Sequence, residues 1–115
     1  MREYRGFPGG RVLIFTDHDP NPVVLSPQRS LKVYNHSPTG FAWGYLGSGP
    51  AQLALALLLE ETDQDTALRL HQLFKADIIA RLKGARWAFS DLVIQQWLKR
   101  QPTPTSPATE AEAQP

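Results

Sequence analysis

A chain of 115 residues, 42% of them hydrophobic, is long enough for one domain around a single core. The formal net charge of +1 argues against the broad nucleic-acid affinity that a strongly basic surface confers. Cysteine is absent, which excludes disulfides, thiol catalysis and thiolate metal sites.

Two runs near the start of the chain predict a β-hairpin. The segments Glu3–Phe7 and Arg11–Thr16 have strand character, and the glycines of Pro8-Gly9-Gly10 between them suit a tight turn. Three prolines then fall within Asp17–Gln28, which predicts an irregular connection over the surface.

Two further strands are predicted in the middle of the chain. Leu31–Tyr34 alternates apolar and polar residues, and Phe41–Leu46 continues in the extended state after a Ser-Pro-Thr-Gly turn. Asn35 and His36 lie between these segments and are assigned to a turn held by bonds from side chains to the backbone. The chain therefore carries about four predicted strands.

A buried helix follows Pro50. Every position from 51 to 59 except Gln52 is apolar, so this helix has no water-facing stripe and is expected at the centre of the domain. Ser48 or Gly49 is its predicted cap, and Pro50 suits its first turn.

Two amphipathic helices are predicted next. Asp63 or Asp65 caps the first, which Gly84 ends, and its core-facing stripe comprises Ala67, Leu70, Phe74, Ile78 and Leu82. A short extended piece, Arg86–Phe89, leads to Ser90, which caps a last helix with Val93, Ile94, Trp97 and Leu98 on one face.

These elements predict an α+β fold: an antiparallel sheet of about four strands, a buried central helix and two further amphipathic helices. We expect one globular domain over residues 1–100. Residues 101–115 contain four prolines and no large apolar side chain, so they are predicted to form a disordered tail.

The join between strand and helix is the first candidate site. The backbone amides of Gly47, Ser48 and Gly49 begin a helix and are able to bind a phosphate or carboxylate, together with the Ser48 hydroxyl and the Gln52 amide. The alternative is a capped structural turn whose glycines let the chain reverse.

An aromatic triplet is the second candidate. Phe41, Trp43 and Tyr45 occupy alternate positions of a predicted strand, so they share one face, while Ala42 and Gly44 leave the other face nearly without bulk. A helix packed against the small residues would turn the aromatic rings outward as a contact surface. The alternative is that the rings face the core.

Enzymatic chemistry finds little support in the sequence. His36 and Ser37 are neighbours, but a hydrolytic dyad also needs an orienting acid and an oxyanion hole. His18 lies between two aspartates, and adjacent residues rarely converge on one metal. We therefore assign no catalytic residue, no metal site and no cofactor.

Three stretches resemble one family. The runs YRGF, NHSPTGF-x-WGY-x-GSGPAQLALA and FK-x-x-IIARL, spread over roughly residues 3–98, are similar to the small bacterial and phage proteins grouped as domain of unknown function 6166. The resemblance implies an intracellular single-domain protein, sometimes carried by mobile elements. It implies no activity and no catalytic residue.

The expected function is that of a small binding or adaptor protein whose partner is another protein. It would act through the exposed side of its sheet and the turn at Gly47–Pro50. Basic residues accumulate from the second helix onward, so a weak nucleic-acid-binding accessory protein is one alternative and a small hydrolase is another.

The first ten residues lack an apolar signal core, and Leu53–Leu59 is far shorter than the roughly 20 residues of a spanning helix. We therefore expect a cytoplasmic protein with no membrane partner.

Overall fold

The computed structural model describes residues 1–102 and contains one antiparallel sheet. Its strands are β1 (Arg2–Phe7), β2 (Arg11–Thr16), β3 (Asp19–Val24) and β4 (Trp87–Ser90), in the spatial order β3-β2-β1-β4. The predicted hairpin is confirmed as β1 and β2, and Gly9 and Gly10 in its turn have φ values of 88° and 79°. Glycine adopts such values without the steric cost that other residues incur.

Strand β3 corrects the prediction of an irregular connection over 17–28. All six of its residues are exposed, and it pairs only with β2. Proline is tolerated at such an edge because the missing N–H group removes no hydrogen bond toward a further strand. The prolines therefore indicated an edge strand rather than a loop.

Four helices complete the described fold: α1 (Gln28–Val33), α2 (Ser48–Glu61), α3 (Gln64–Asp77) and α4 (Asp91–Lys99). Helix α1 replaces the strand predicted over Leu31–Tyr34. An alternation of four residues is too short to separate a strand from a single helical turn, and the backbone N–H of Leu31 donates to the carbonyl of Pro27 in a helical bond of 2.9 Å.

Helix α2 is the centre of the domain, as predicted. Every residue from Gly49 to Leu59 is buried, and Pro50 lies in the first turn. The N-cap is Gly47 rather than Ser48 or Gly49, and no side chain caps the helix. The turn is closed by the backbone alone, since the N–H of Ala51 donates to the carbonyl of Gly47 at 3.0 Å.

Helix α3 begins as predicted and ends earlier. The Asp63 carboxylate accepts a hydrogen bond of 2.8 Å from the backbone N–H of Thr66, which also holds the pKa of Asp63 below its ordinary value. After Asp77 the backbone tightens into a 3₁₀ turn over Ile79–Arg81, so the helix does not continue to Gly84. Ala67, Leu70 and Phe74 are buried, while Ile78 and Leu82 pack against the core from beyond the helix end.

The strand predicted over Phe41–Leu46 is absent, and these residues form an irregular segment. Gly40 and Gly44 have φ values of 119° and 88°, which are incompatible with a continuous extended strand. The total of four strands is correct because β3 and β4 take the places of this segment and of Leu31–Tyr34 in the count.

The helices lie against one face of the sheet, which completes the predicted α+β fold. Inward residues of β1 and β2 are buried against the helices: Tyr4, Gly6, Val12 and Ile14. In α4 the buried residues are Ile94 and Trp97, both on the predicted face.

Within residues 1–102, no helix combines the length and apolar character needed to cross a membrane. The predicted tail lies, beyond its first two residues, outside the described residues.

Candidate functional site

The join at Gly47–Pro50 is a tightly packed turn. Ser48 is exposed, but Gly49 is buried against Ala42, and a β-carbon at Gly49 would lie 2.7 Å from the Ala42 β-carbon. The helix therefore approaches the preceding segment as closely as a glycine permits. A helix packed against Ala42 and Gly44 was one of the two alternatives for this motif, and the contact with Ala42 is present although no strand carries it.

Gln52 anchors the chain segment that precedes the motif. Its side chain is fully buried, and Oε1 accepts hydrogen bonds from the backbone N–H groups of His36 at 2.7 Å and Ser37 at 3.0 Å. Its Nε2 donates to the Ser30 hydroxyl at 2.9 Å and to the Tyr34 carbonyl at 3.0 Å. These bonds occupy both ends of the amide, so Gln52 has a structural role, and an anion at the turn would depend on Ser48 and the backbone amides.

His36 and His71 form a second link between the motif and the helices. Their Nε2 atoms are 2.8 Å apart, and Nδ1 of His71 lies 2.8 Å from the carbonyl oxygen of Leu68. Since a carbonyl only accepts, Nδ1 of His71 carries a proton, and of the two facing Nε2 atoms one donates and the other accepts according to the tautomer. Burial, His71 and Lys75 lower the pKa of His36.

The histidine pair shows no sign of a hydrolytic dyad. His36 stacks on Tyr34 with ring centroids 4.3 Å apart, and Asn35 beside it is exposed. Among the hydrogen bonds of residues 1–102, none joins a histidine ring to a serine hydroxyl. The geometry connects helix α3 to the irregular segment at Asn35 and His36, and the turn itself lies at Pro38 and Thr39.

The aromatic triplet is divided between the core and the surface. Trp43 is half-buried, its Nε1 donates to the Gly84 carbonyl at 3.0 Å, and its ring meets Trp87 edge to face at 5.5 Å between centroids. Phe41 is also half-buried. Tyr45 is 54% exposed and lies over Gly47, so it is the one member of the triplet placed to contact a partner.

A different surface emerges on the side of the sheet opposite the helices. We define the open sheet face as the outward residues of β1 and β2, together with Ala88 of β4 and Arg86, which directly precedes β4. Its members are Glu3, Arg5, Phe7, Arg11, Leu13, Phe15, Arg86 and Ala88. Strand register places them in rows, since Phe7 opposes Arg11, Arg5 opposes Leu13 and Ala88, and Glu3 opposes Phe15. Cross-strand partners share a face, so the rows lie side by side.

Arginine and phenylalanine alternate across this face. The guanidinium carbons of Arg11 and Arg86 lie 5.3 Å and 5.4 Å from the centre of the Phe7 ring. At the other end of the sheet, the guanidinium of Arg5 lies 4.2 Å from the centre of the Phe15 ring. These distances are those of cation–π contacts.

The positive charge of the open sheet face is concentrated at one end. Arg5 forms a salt bridge of 2.6 Å with Glu3, which compensates its charge. In the part of the chain that the structure describes, Arg11 and Arg86 have no salt-bridge partner. A depression of about 400 Å³ beside them is lined by Arg5, Phe7, Arg86 and Trp87, among others.

Sequence reasoning missed this surface because it assigned the exposed side of the sheet to residues 41–46. The signal was present in the hairpin, where small or apolar Tyr4, Gly6, Val12 and Ile14 alternate with the outward residues at a period of two. The outward residues of this alternation include the arginines Arg5 and Arg11.

Comparison with known proteins gives a family and no more. No curated protein and no solved structure matches the chain. One family, described as "Family of unknown function (DUF6166)", has a model that matches residues 4–100, a range that includes most of the open sheet face and the entire motif. The chain therefore belongs to this family of unknown function.

Proposed function

We propose that the protein is a small cytoplasmic binding or adaptor protein that engages its partner through the open sheet face. The observation that carries this proposal is the side of the sheet that nothing within residues 1–102 covers. Phe7, Leu13 and Phe15 remain only partly buried there, while the opposite side is sealed by helices. Carriage by a mobile genetic element, which the family resemblance implies, is part of the same proposal.

The side chains on this face are suited to recognition. Aromatic residues and arginine are enriched at binding surfaces because they combine large contact area with directed hydrogen bonds. Neither arginine nor phenylalanine is a usual general base or nucleophile. The composition of the face therefore favours binding over the hydrolase alternative.

A second exposed surface lies at the start of α2. Tyr45 and Leu46 are 54% and 68% exposed, and Ser48 follows them at the helix start. We propose that this surface adds a secondary contact, whereas the arginines of the open sheet face supply the main one.

Capture from native lysate tests the proposal, with the full chain as bait and nuclease-treated and untreated arms. The variant Arg11→Glu/Arg86→Glu reverses the charge on the open sheet face. The matched control, Arg81→Glu/Arg100→Glu, makes the same net change on the helical side. We expect the wild type and the control to retain a partner that the face variant loses. Equal retention by all three proteins, or no captured partner, would contradict the proposal.

A further inference from the structure

We infer that the partner of the open sheet face is a single-stranded nucleic acid, with bases stacked on Phe7 and Phe15 and phosphates bound by Arg11 and Arg86. This inference rests on the function proposed above and names the chemistry of the partner. It replaces the expectation of a protein partner with the alternative that the geometry of the face favours.

The environment of Phe7 suits a nucleotide. Its ring lies between two exposed guanidinium groups, from Arg11 on one neighbouring strand and Arg86 on the other side. A guanidinium without a carboxylate partner can offer paired N–H groups to a phosphate. An aromatic ring flanked by such groups matches a nucleotide, which joins a planar base to a phosphate.

The spacing of the Phe7 and Phe15 rings suits a single strand that crosses the face. Phe15 opposes Glu3, which is four residues from Phe7 along β1, so the rings are separated by about 14 Å along the sheet. Leu13, Arg5 and Ala88 occupy the row between them. A single strand that crosses the face would therefore meet two stacking positions, with this row of polar and apolar side chains between them.

The charge distribution gives the bound strand a preferred position. The Phe7 end carries two uncompensated arginines, whereas at the Phe15 end Arg5 is paired with Glu3 and Asp17 is paired with the N-terminal amine. Phosphates should therefore concentrate at the Phe7 end. Phe15 would supply stacking with little net attraction for phosphate.

A single strand fits this surface better than a duplex or an acidic protein. Bases in a duplex are stacked on one another and cannot lie on a protein ring, whereas four-stranded sheets commonly bind unstacked bases through aromatic residues on an open face. An acidic peptide supplies negative charge but no planar bases. The net charge of the chain is only +1, but contact with a few phosphates requires positive charge only at the site itself, where Arg11 and Arg86 supply it.

Fluorescence anisotropy with the full chain tests the inference. The probes are a labelled 12-nucleotide single strand, as DNA and as RNA, the matched 12-base-pair duplex, and a glutamate-rich peptide of equal charge, all at low salt. We expect the single strand to bind more tightly than the duplex and the peptide. With two phosphates neutralised, log K should fall against log salt with a slope of about −1.4.

Two variants separate stacking from charge. Phe7→Leu retains an apolar side chain but removes the ring, and should weaken binding about 5- to 150-fold, as base stacking on an aromatic residue predicts. Arg11→Gln/Arg86→Gln should weaken binding and bring the salt slope close to zero. The control Arg81→Gln/Arg100→Gln makes the same change in net charge on the helical side and should keep the affinity within about twofold. Circular dichroism of each variant verifies that it is folded.

Four outcomes would overturn the inference: no binding of the single strand, equal affinity for the duplex, equal affinity for the acidic peptide, or an equal loss in the helical-side control. The proposed function can still be tested separately. If the oligonucleotides fail to bind while the capture depends on Arg11 and Arg86 after nuclease treatment, the partner is a protein and only the inference is wrong. If the capture also fails, both are wrong.

Discussion

Replacement of Gln52 by leucine is expected to release the segment around residues 30–37 from helix α2. Gln52 is the one polar side chain among residues 51–59 of the buried helix. Its amide bonds to two backbone N–H groups, one carbonyl and one hydroxyl of that segment. Leucine has a similar size but can make none of these bonds.

The magnitude follows from what the substitution leaves without a partner. The N–H of Ser37 is buried, and an unsatisfied buried polar group costs about 1–3 kcal/mol. The N–H of His36 and the carbonyl of Tyr34 are partly buried and regain some hydration, so each costs less. The Ser30 hydroxyl keeps its bond to the Pro27 carbonyl. Burial of the leucine offsets part of the loss, which leaves an expected decrease in unfolding free energy of about 3 kcal/mol.

Urea denaturation monitored by circular dichroism measures this change. Gln72→Leu is the matched control, because Gln72 is exposed on α3, and its substitution should change the unfolding free energy by less than about 0.5 kcal/mol. Amide hydrogen exchange gives a local readout, and the N–H groups of His36 and Ser37 should lose protection first. A decrease below about 1 kcal/mol for Gln52→Leu, with exchange at His36 and Ser37 unchanged, would refute the reasoning.

Three further predictions concern the core, the motif and pH. Leu55 is fully buried in α2, so Leu55→Asp should prevent folding by burying an unpaired charge, and a soluble variant with native circular dichroism would contradict this. Trp43→Ala removes a half-buried indole and its bond to the Gly84 carbonyl, and should lower the unfolding free energy by about 2–4 kcal/mol in urea titration, whereas a loss under about 1 kcal/mol would mean a surface role. The pKa of His36 lies below the usual 6.5 in the folded state, so the unfolded chain binds more protons and stability should fall as pH drops through about 6.5. His36→Gln should remove that part of the pH dependence, and an unchanged pH profile would exclude His36 as its source.

The elements predicted correctly are those that strong local sequence patterns determine. Helix α2 is buried all round, and its apolar run showed this directly. The hairpin was recognisable from its glycine turn, and Asp63 was recognisable as a cap. Each of these features depends on neighbours within a few residues in the sequence.

The errors lie where distant contacts decide the backbone. Segment 28–34 is helical and is held by Gln52 from another helix, a contact that local alternation does not reveal. Segment 41–46 is not the extended strand that was predicted, because the backbone at Gly44 has a φ of 88°. The N–H of Gly44 donates to the carbonyl of Ile79 at 3.0 Å. Glycine can adopt either conformation, so the sequence alone left that choice open.

The candidate site was predictable only in part. That the exposed side of a sheet would carry a contact surface follows from the predicted layers, and the structure contains such a side. The residues on that side belong to the hairpin and not to the segment with Phe41, Trp43 and Tyr45, because the membership of the sheet depends on which strands pair. The proximity of Arg86 to Phe7 joins two ends of the chain and required the pairing of β1 with β4.

The proline-containing edge strand has a consequence for solubility. The edge strand of a sheet presents unpaired N–H and C=O groups, which invite the addition of strands from other molecules and lead to aggregation. In β3 the prolines at 20 and 22 remove backbone donors from the exposed edge, and Asp19 adds a charge at its start. Edge-to-edge growth is thereby discouraged at β3, while none of the described residues covers the aromatic face. The protein can keep that face accessible while its outer strand resists polymerisation.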